Sequence, residues 1–284
     1  MQAIKKILVP VDLSGNSESA MLYASELAGA TGAKIYLFHV SMYPDFYVTE
    51  LDDYKRFDRE LKSAVKRIQD ASVSFLQGMR KRFFSESSKV ICKIILAKNI
   101  YSEILEYADE LKPDYIILGS GEQSGKIKIG SNTERILRLT HIPVLVVKKP
   151  AKASKINKAV FASDFYEDSV NVFPQVLEFL RETYASVRLL YVNTKSGFEE
   201  YETVKARMEN FKKNFSADFS MVIRAGKNVE ASIVRYADSI NADLIAMGMK
   251  RKKGLTLYFT DKITESVISL SDIPVLAVNN PGEK

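Results

Sequence analysis

The residues with the most chemical promise lie in Leu118–Asn132, which reads L-G-S-G-E-Q-S-G-K-I-K-I-G-S-N. They follow the apolar run Tyr115-Ile116-Ile117-Leu118 and end in Gly130-Ser131-Asn132-Thr133-Glu134, which opens a helical pattern. A strand, a glycine-rich loop and a helix start, in that order, suit a phosphate. Glycine lets backbone approach closely, and the first free amides of a helix carry partial positive charge. The same residues also fit a plain loop followed by a capping box, Ser131-x-x-Glu134. The loop matches neither G-x-G-x-x-G nor G-x-x-x-x-G-K-[ST]. Asp12 and Val40, each at the end of an apolar run, bear on the same question. A carboxylate can accept from an exocyclic amine such as adenine N6, and a strand-end backbone can complete recognition of the base edge. Asp12 by itself also reads as a cap for a helix starting near Asn16.

Other chemistries find little support. There are two histidines. His39 is expected at a strand end near the pocket, and His141 precedes a strand; neither has a second metal-ligand type at recognisable spacing. The sequence contains no nucleophile elbow, Walker lysine or kinase motif set. This pattern predicts a non-catalytic protein, with slow hydrolysis of a bound phosphate ester by a cation-activated water as the most that could be expected. The single cysteine, Cys92, excludes an internal disulfide and is expected as a small buried residue of a strand.

The elements that must position these residues occur twice. Ile4–Asp12 returns as Ile156–Asp164 at an offset of 152, and Lys34–Val40 returns as Val187–Val192. Lys98-Asn99-Ile100 with Ile104, Tyr107 and Ala108 returns as Lys227-Asn228-Val229 with Ile233, Tyr236 and Ala237, at an offset of 129. Asp114–Gly119 returns as Asp243–Gly248, and Ile142-Pro143-Val144-Leu145 as Ile273-Pro274-Val275-Leu276. Five blocks in one order mark an internal repeat. Lys148–Lys155 reads as the linker. The expected domains are therefore 1–149 and 155–284.

Within each half, short apolar runs alternate with helical periodicity, the pattern of an α/β domain with a buried parallel sheet. Strands are expected near 4–10, 33–40, 89–96, 115–119 and 143–147, and helices near 16–30, 50–85, 100–111 and 131–140. The second half repeats them, with strands near 156–163, 186–192, 218–224, 243–248 and 274–278. In a strand order of 3-2-1-4-5, Asp12, Val40 and Gly119 converge where the winding reverses, the usual ligand position in an open parallel sheet. The shrinking offset places about 23 extra residues in the first half. They lengthen one helix, whose stripe Tyr54, Phe57, Leu61, Val65, Ile68, Phe75, Leu76, Met79 and Phe83 recurs at helical steps. At 1.5 Å per residue that helix spans on the order of 50 Å. It either overhangs the sheet as a partner surface or covers its own sheet or the other half.

Composition bounds the remainder. Residues 1–150 hold 22 Lys+Arg against 18 Asp+Glu, and 151–284 hold 19 against 17, so neither half carries the basic polarity of a nucleic-acid binder. No apolar run approaches the roughly 18 residues of a membrane span, and the start is too short in apolar length for a secretory signal. These features predict a soluble, cytoplasmic chain with no nucleic-acid or membrane partner.

Val9-Pro10-Val11-Asp12-x-Ser14, Phe38-His39-Val40, Ile117-Leu118-Gly119, Gly130-Ser131-x-Thr133-Glu134 and Ile142–Val147 together resemble the universal stress protein family. The resemblance covers nearly the whole chain, twice over. It implies two Rossmann-like (adenine nucleotide alpha-hydrolase-like) five-stranded parallel-sheet domains in tandem, paired with each other, often through the last strand. A further homodimer and a protein partner of unknown identity are compatible with it. One branch of the family binds ATP, usually with a divalent cation such as Mg²⁺, through a loop of form G-x-x-G-x(9)-G-[ST]; another branch lacks the loop.

By position, Asp12 and Val40 would hold adenine, with Pro10 and Val11 lining its pocket. Leu118 and Gly119 would end the neighbouring strand. Gly119, Gly121, Gly130 and Ser131 would wrap ribose and phosphates, and Asn132 would present a helix-start amide. Two departures stand out. Gly119 to Gly130 spans 11 positions where the family spacing asks for 13, and Glu122 sits where the second glycine would fall, with Gly121 or Gly125 as substitutes. In the second half Arg251, Asp261 and Lys262 stand where glycine, glycine and serine would. That half is expected to be a degenerate, mainly structural copy that keeps Asp164. Its cluster Lys250–Lys253 reads as a solvated basic loop or as a contact to an anion.

Overall fold

The structure is a computed structural model that describes residues 4–12, 15–43, 54–120, 129–151, 153, 156–181, 183, 185–249 and 261–280. The first half runs β1 (Lys6–Pro10), α1 (Asn16–Thr31), β2 (Lys34–Met42), α2 (Tyr54–Phe83), β3 (Val90–Ala97), α3 (Ile100–Leu111), β4 (Tyr115–Gly119), α4 (Ser131–Leu139) and β5 (Val144–Val147). The second runs β6 (Lys158–Ala162), α5 (Glu167–Leu180), β7 (Ser186–Thr194), α6 (Tyr201–Lys212), β8 (Ser220–Gly226), α7 (Val229–Ser239), β9 (Leu244–Met249), α8 (Asp261–Leu270) and β10 (Val275–Asn279).

Several repeated polar residues prove to be the pins that fix this order. The Asp114 carboxylate accepts the amides of Lys5 and Lys6 at 2.7 and 2.8 Å, tying the start of β1 to that of β4. Asp243 does the same for Asn157 and Lys158 at 2.8 and 3.0 Å. Lys6 Nζ donates to the Leu111 carbonyl at the end of α3, and Lys158 Nζ to the Ile240 carbonyl beyond α7. Asn99 and Asn228 cap α3 and α7 by accepting from Ser102 and Ala231. Gly32 ends α1 at φ +71°, a conformation that glycine adopts without steric cost.

The strands form one ten-stranded sheet in the order β3-β2-β1-β4-β5-β10-β9-β6-β7-β8. Each half shows the expected 3-2-1-4-5 order, all parallel. The halves join where β5 and β10 pair antiparallel, Val146 opposite Val275 and Val144 opposite Ala277. Alternate residues feed two apolar layers: Ile7 and Val9 point to the layer under α1, α2, α5 and α6, whereas Leu8 points to that under α3, α4, α7 and α8. The seam is also tied by side chains. Arg138 of α4 makes a bidentate pair with Glu265 of α8 at 2.5 and 2.8 Å. Asn279 of β10, buried, donates to the Leu137 and Thr140 carbonyls at the open end of α4. The far end of α4 is thereby held by the second half.

One sequence expectation is corrected. Cys92 is exposed rather than buried. Its strand, β3, forms the outer edge of the sheet, where Ile91 is also exposed. The expected long helix is present as α2, with 30 residues and a length of about 45 Å; positions 50–53 of that expectation lie outside the described residues. Ser72, Leu76 and Met79 of its later part are buried, while none of residues 59–71 is. Among the described residues no helix is long and apolar enough to cross a membrane.

Candidate functional site

Pro10, Val11, Asp12, Val40, Leu118, Gly119 and Asn132 line one crevice of about 150 Å³ at the carboxyl ends of β1, β2 and β4. Its remaining wall is Ser17, Phe38, Ile100, Ile104, Thr133 and Ile136. Gly130 and Ser131 adjoin this wall at the start of α4, while Gly121, Gly125 and Glu122 lie outside the described residues. The wall residues beyond the strand ends carry a sequence signal of their own. Ile100, Ile104 and Ile136 are apolar positions of the amphipathic stripes of α3 and α4, and the periodicity that marks them as core does not tell that they border a hollow.

The strand ends fall a little differently from the sequence expectation. β1 stops at Pro10, two residues short of Asp12, and β2 continues two residues past Val40. Asp12 therefore stands on the turn above the sheet, exposed, where its Oδ1 accepts from Ser17 Oγ at 2.7 Å. It does not cap α1, since Gly15 occupies the cap position and no side chain bonds there. Nor is Ser131-x-x-Glu134 a capping box. Gly130 is the cap residue, Ser131 is already the first helical residue, and Glu134 pairs with Arg138 at 2.8 Å. The start of α4 thus carries no side-chain cap, and its residues Asn132 and Thr133 line the crevice.

Gly119 is required by this geometry. A methyl group built on it would lie 2.0 Å from the Asn16 carbonyl oxygen and 2.5 Å from the attached carbon. The start of α1 can thus rest against the end of β4 only over a glycine. Gly248, its repeat mate, is under no such constraint, because the added carbon would sit at an ordinary 3.5 Å from Val172.

The second half arranges the matching residues differently. Ala162, Ser163, Asp164, Ser169 and Gly248, with Phe161 and Val172, border a hollow of about 10 Å³ that lies toward α5, on the other side of the sheet from the first-half crevice. Asp164 is 2% exposed, accepts from the Tyr166 amide and from Ser169 Oγ, and is followed by Phe165 at φ +59°. Thr264 of α8 donates to the Gly248 carbonyl at 3.4 Å, closing that helix onto the end of β9. α8 begins at Asp261, and Arg251 and Lys250–Lys253 lie outside the described residues.

His39 does not face the crevice. It lies 5% exposed under α2, on the opposite side of the sheet from Phe38 and Val40, and its Nδ1 reaches the Val11 carbonyl at 2.7 Å. His141 is exposed, with Nδ1 3.8 Å from Asp109. In the second half the repeat places Tyr191 where His39 stands. Its hydroxyl donates to Glu199 Oε1 at 2.6 Å, and Glu199 is held by Arg207 at 2.7 and 2.9 Å. The Arg207 hydrogen bonds hold the Glu199 carboxyl below its ordinary pKa. A depressed carboxyl contributes stability that is present above the unfolded-state value of about 4.5 and is lost as pH falls from there through the folded-state value. Urea unfolding across the acid range should therefore show wild type more stable than Glu199→Gln near neutrality, with the difference shrinking below about pH 4.5. A difference that did not change with pH would remove the ion pair as its source.

Among the described residues there is no group of three or more His, Cys, Asp or Glu side chains that could hold a metal ion.

The model of the Universal stress protein family matches residues 3–148 and again 155–279. A universal stress protein of Methanocaldococcus jannaschii is 29% identical over 150 residues, 52% of this chain and 84% of its own length. One from Synechocystis is 25% identical over 227 residues, 76% of this chain and 69% of its own length. In three dimensions the chain is similar to a universal stress protein of Archaeoglobus fulgidus, with a TM-score of 0.67, 21% identity, and coverage of 97% of this chain and 98% of that one.

Proposed function

This chain belongs to the universal stress protein family, and on that premise we propose that it is a non-catalytic stress-response protein binding ATP or a related adenine nucleotide in its first domain only. The observation that carries the reading is the crevice of about 150 Å³ in the first half with Asp12 exposed at its rim, where the matching acid of the second half, Asp164, is buried at 2% exposure. In the first domain, 1–149, the base would lie among Val11, Val40, Ile100 and Ile104, four apolar residues of the crevice wall. Asp12 would accept from the adenine N6 amine. Guanine presents an oxygen there, which a carboxylate repels, so the site favours adenine. The uncapped start of α4, with Gly130, Ser131 and Asn132, would take the phosphates on its free amides and dipole. Gly119 and Gly121 would let the backbone come close to the ribose and phosphates. A divalent cation such as Mg²⁺ would arrive with the polyphosphate and keep several of its waters.

The second domain, 155–284, serves in this reading as the built-in partner of the first. It completes the sheet and holds the far end of α4 through Glu265 and Asn279. Nucleotide would act by favouring one arrangement of the loop after β4, and through it a surface for a protein partner.

Isothermal calorimetry with ATP, ADP, AMP and GTP in the presence of Mg²⁺ tests the assignment. ATP should bind and GTP should bind more weakly. Asp12→Ala should weaken ATP by roughly ten- to a hundredfold, the loss of one hydrogen bond to a charged group. No heat with any nucleotide would instead favour a nucleotide-independent scaffold of the same fold. Phosphate release over hours, absent in Asp12→Ala, would replace the non-catalytic reading by that of a weak ATPase.

A further inference from the structure

The geometry points to His39 as the positioning residue that sets base selectivity, acting from the far side of the sheet without touching the nucleotide. This inference rests on the adenine site proposed above and extends it to a residue outside the crevice. The peptide plane between Val11 and Asp12 is held at both ends. On one side His39 Nδ1 lies 2.7 Å from the Val11 carbonyl oxygen. An oxygen of that kind only accepts, so Nδ1 carries the proton. On the other side the Asp12 amide donates to Ser17 Oγ at 2.9 Å, and the same hydroxyl donates onward to Asp12 Oδ1 at 2.7 Å. The Val11 amide is bonded to the Phe38 carbonyl at 2.9 Å, which sets the residue before the plane. Since β1 ends at Pro10, no strand ladder holds the Val11–Asp12 peptide, and these bonds take its place. The carboxylate that would read the base is therefore aimed by an imidazole buried beneath it.

The second half supplies the comparison within the same chain. There Tyr191 occupies the histidine's position and its hydroxyl turns to Glu199 Oε1. The corresponding acid, Asp164, is folded inward at 2% exposure, and Phe165 takes φ +59°. The Val11 counterpart, Ser163, keeps its amide bond to the Leu190 carbonyl at 3.1 Å, so strand pairing is the same in both halves and does not account for the difference. Two things differ at this level. The ring reaches the carbonyl in one half while the phenol reaches away in the other. In addition, Ser163 stands where the first half has Val11, its hydroxyl accepting from the Phe165 amide at 3.2 Å and pairing with Ser169 Oγ at 2.5 Å.

The test uses three full-length variants chosen by donor position. His39→Asn keeps an N–H donor near the place of Nδ1, His39→Gln moves the donor outward to the place of Nε2, and His39→Phe removes it. Amide hydrogen exchange of the nucleotide-free protein is read first. Asp12 should exchange about tenfold faster in His39→Gln and His39→Phe and as in wild type in His39→Asn, with Ile7, Leu8 and Val9 unchanged in all three. The ratio of ATP to GTP affinity should then fall about tenfold in the Gln and Phe variants and stay within about threefold of wild type in Asn. Equal behaviour of Asn, Gln and Phe, whether all like wild type or all impaired, overturns the inference, because packing alone would not distinguish them. If wild type binds no nucleotide, the adenine reading fails, while the exchange pattern still decides whether His39 holds the plane.

Discussion

Gly130→Asp should lower ATP affinity about a thousandfold while leaving the fold at least as stable as before. Gly130 caps α4 at φ −61° and ψ 143°, a conformation open to any residue, and an added Cβ would meet nothing nearer than Thr133 Oγ1 at 3.9 Å. Aspartate is a preferred cap residue and gains a few tenths of a kcal/mol over glycine there. The same carboxylate would stand where the phosphates are placed. Two like unit charges about 4 Å apart repel by about 4 kcal/mol at an effective dielectric near 20, or about three orders of magnitude in affinity. The second half already carries this change, since Asp261 holds the matching position at the start of α8. Calorimetric titration and a thermal melt on the same preparation check both signs. Unchanged affinity would mean that the start of α4 does not hold the phosphates.

Gly119→Ala should destabilise the protein by about 1–3 kcal/mol, the usual cost of forcing a methyl group into a packed site. The clash is with backbone, the Asn16 carbonyl at 2.0 Å, so no side chain can turn aside to relieve it. Either α1 lifts from β4 or the strand end shifts, and since Asp12, Ser17 and Gly119 share the crevice wall, nucleotide binding should weaken as well. Gly248→Ala is the internal control, with a first contact at 3.5 Å, and should stay within about 0.5 kcal/mol of wild type. Denaturant unfolding of the two variants side by side gives the answer. Equal losses would show that the close approach at Gly119 has no special part in the fold.

How much of this was legible in the sequence varies by the range of the interaction. The repeat was legible because its blocks are local: apolar runs, the Asn99 and Asn228 caps, and the paired acids Asp114 and Asp243 recur as short strings. The acids' task was not visible, since each bonds amides more than 80 positions away. The strand order entered the sequence reading as the condition under which Asp12, Val40 and Gly119 converge, and the structure shows it in both halves. The burial of Cys92 was misjudged because being an edge strand is a property of the assembled sheet, not of the strand's own composition. The capping box failed for a related reason. Ser131-x-x-Glu134 has the right spacing, but the chain enters α4 through Gly130, which shifts Ser131 one place inside the helix.

The crevice was legible in part for the same physical reason. Asp12, Gly119 and Asn132 are polar or glycine positions at or next to element ends, where function stands out from packing. Phe38, Ile104 and Ile136 follow the same apolar periodicity as residues that face solid core, so only the assembled structure separates them. Ser17 escaped notice because its importance lies in a bond to Asp12 across a turn. His39 was expected near the pocket, and it is near only through the sheet. One residue of shift along β2 moves a side chain to the other face, and His39 lies between Phe38 and Val40.

The central claim is that one of the two repeated domains offers a nucleotide site and the other does not. Native mass spectrometry of the intact chain at saturating ATP and Mg²⁺ measures this most directly, with Gly130→Asp run alongside. One ATP per wild-type chain and none on the variant is the result expected from an exposed Asp12 and a glycine-led start of α4 in the first half, against a buried Asp164 and an aspartate at the start of α8 in the second. Two ATP per wild-type chain, none on wild type, or a single ATP that persists on Gly130→Asp would contradict it.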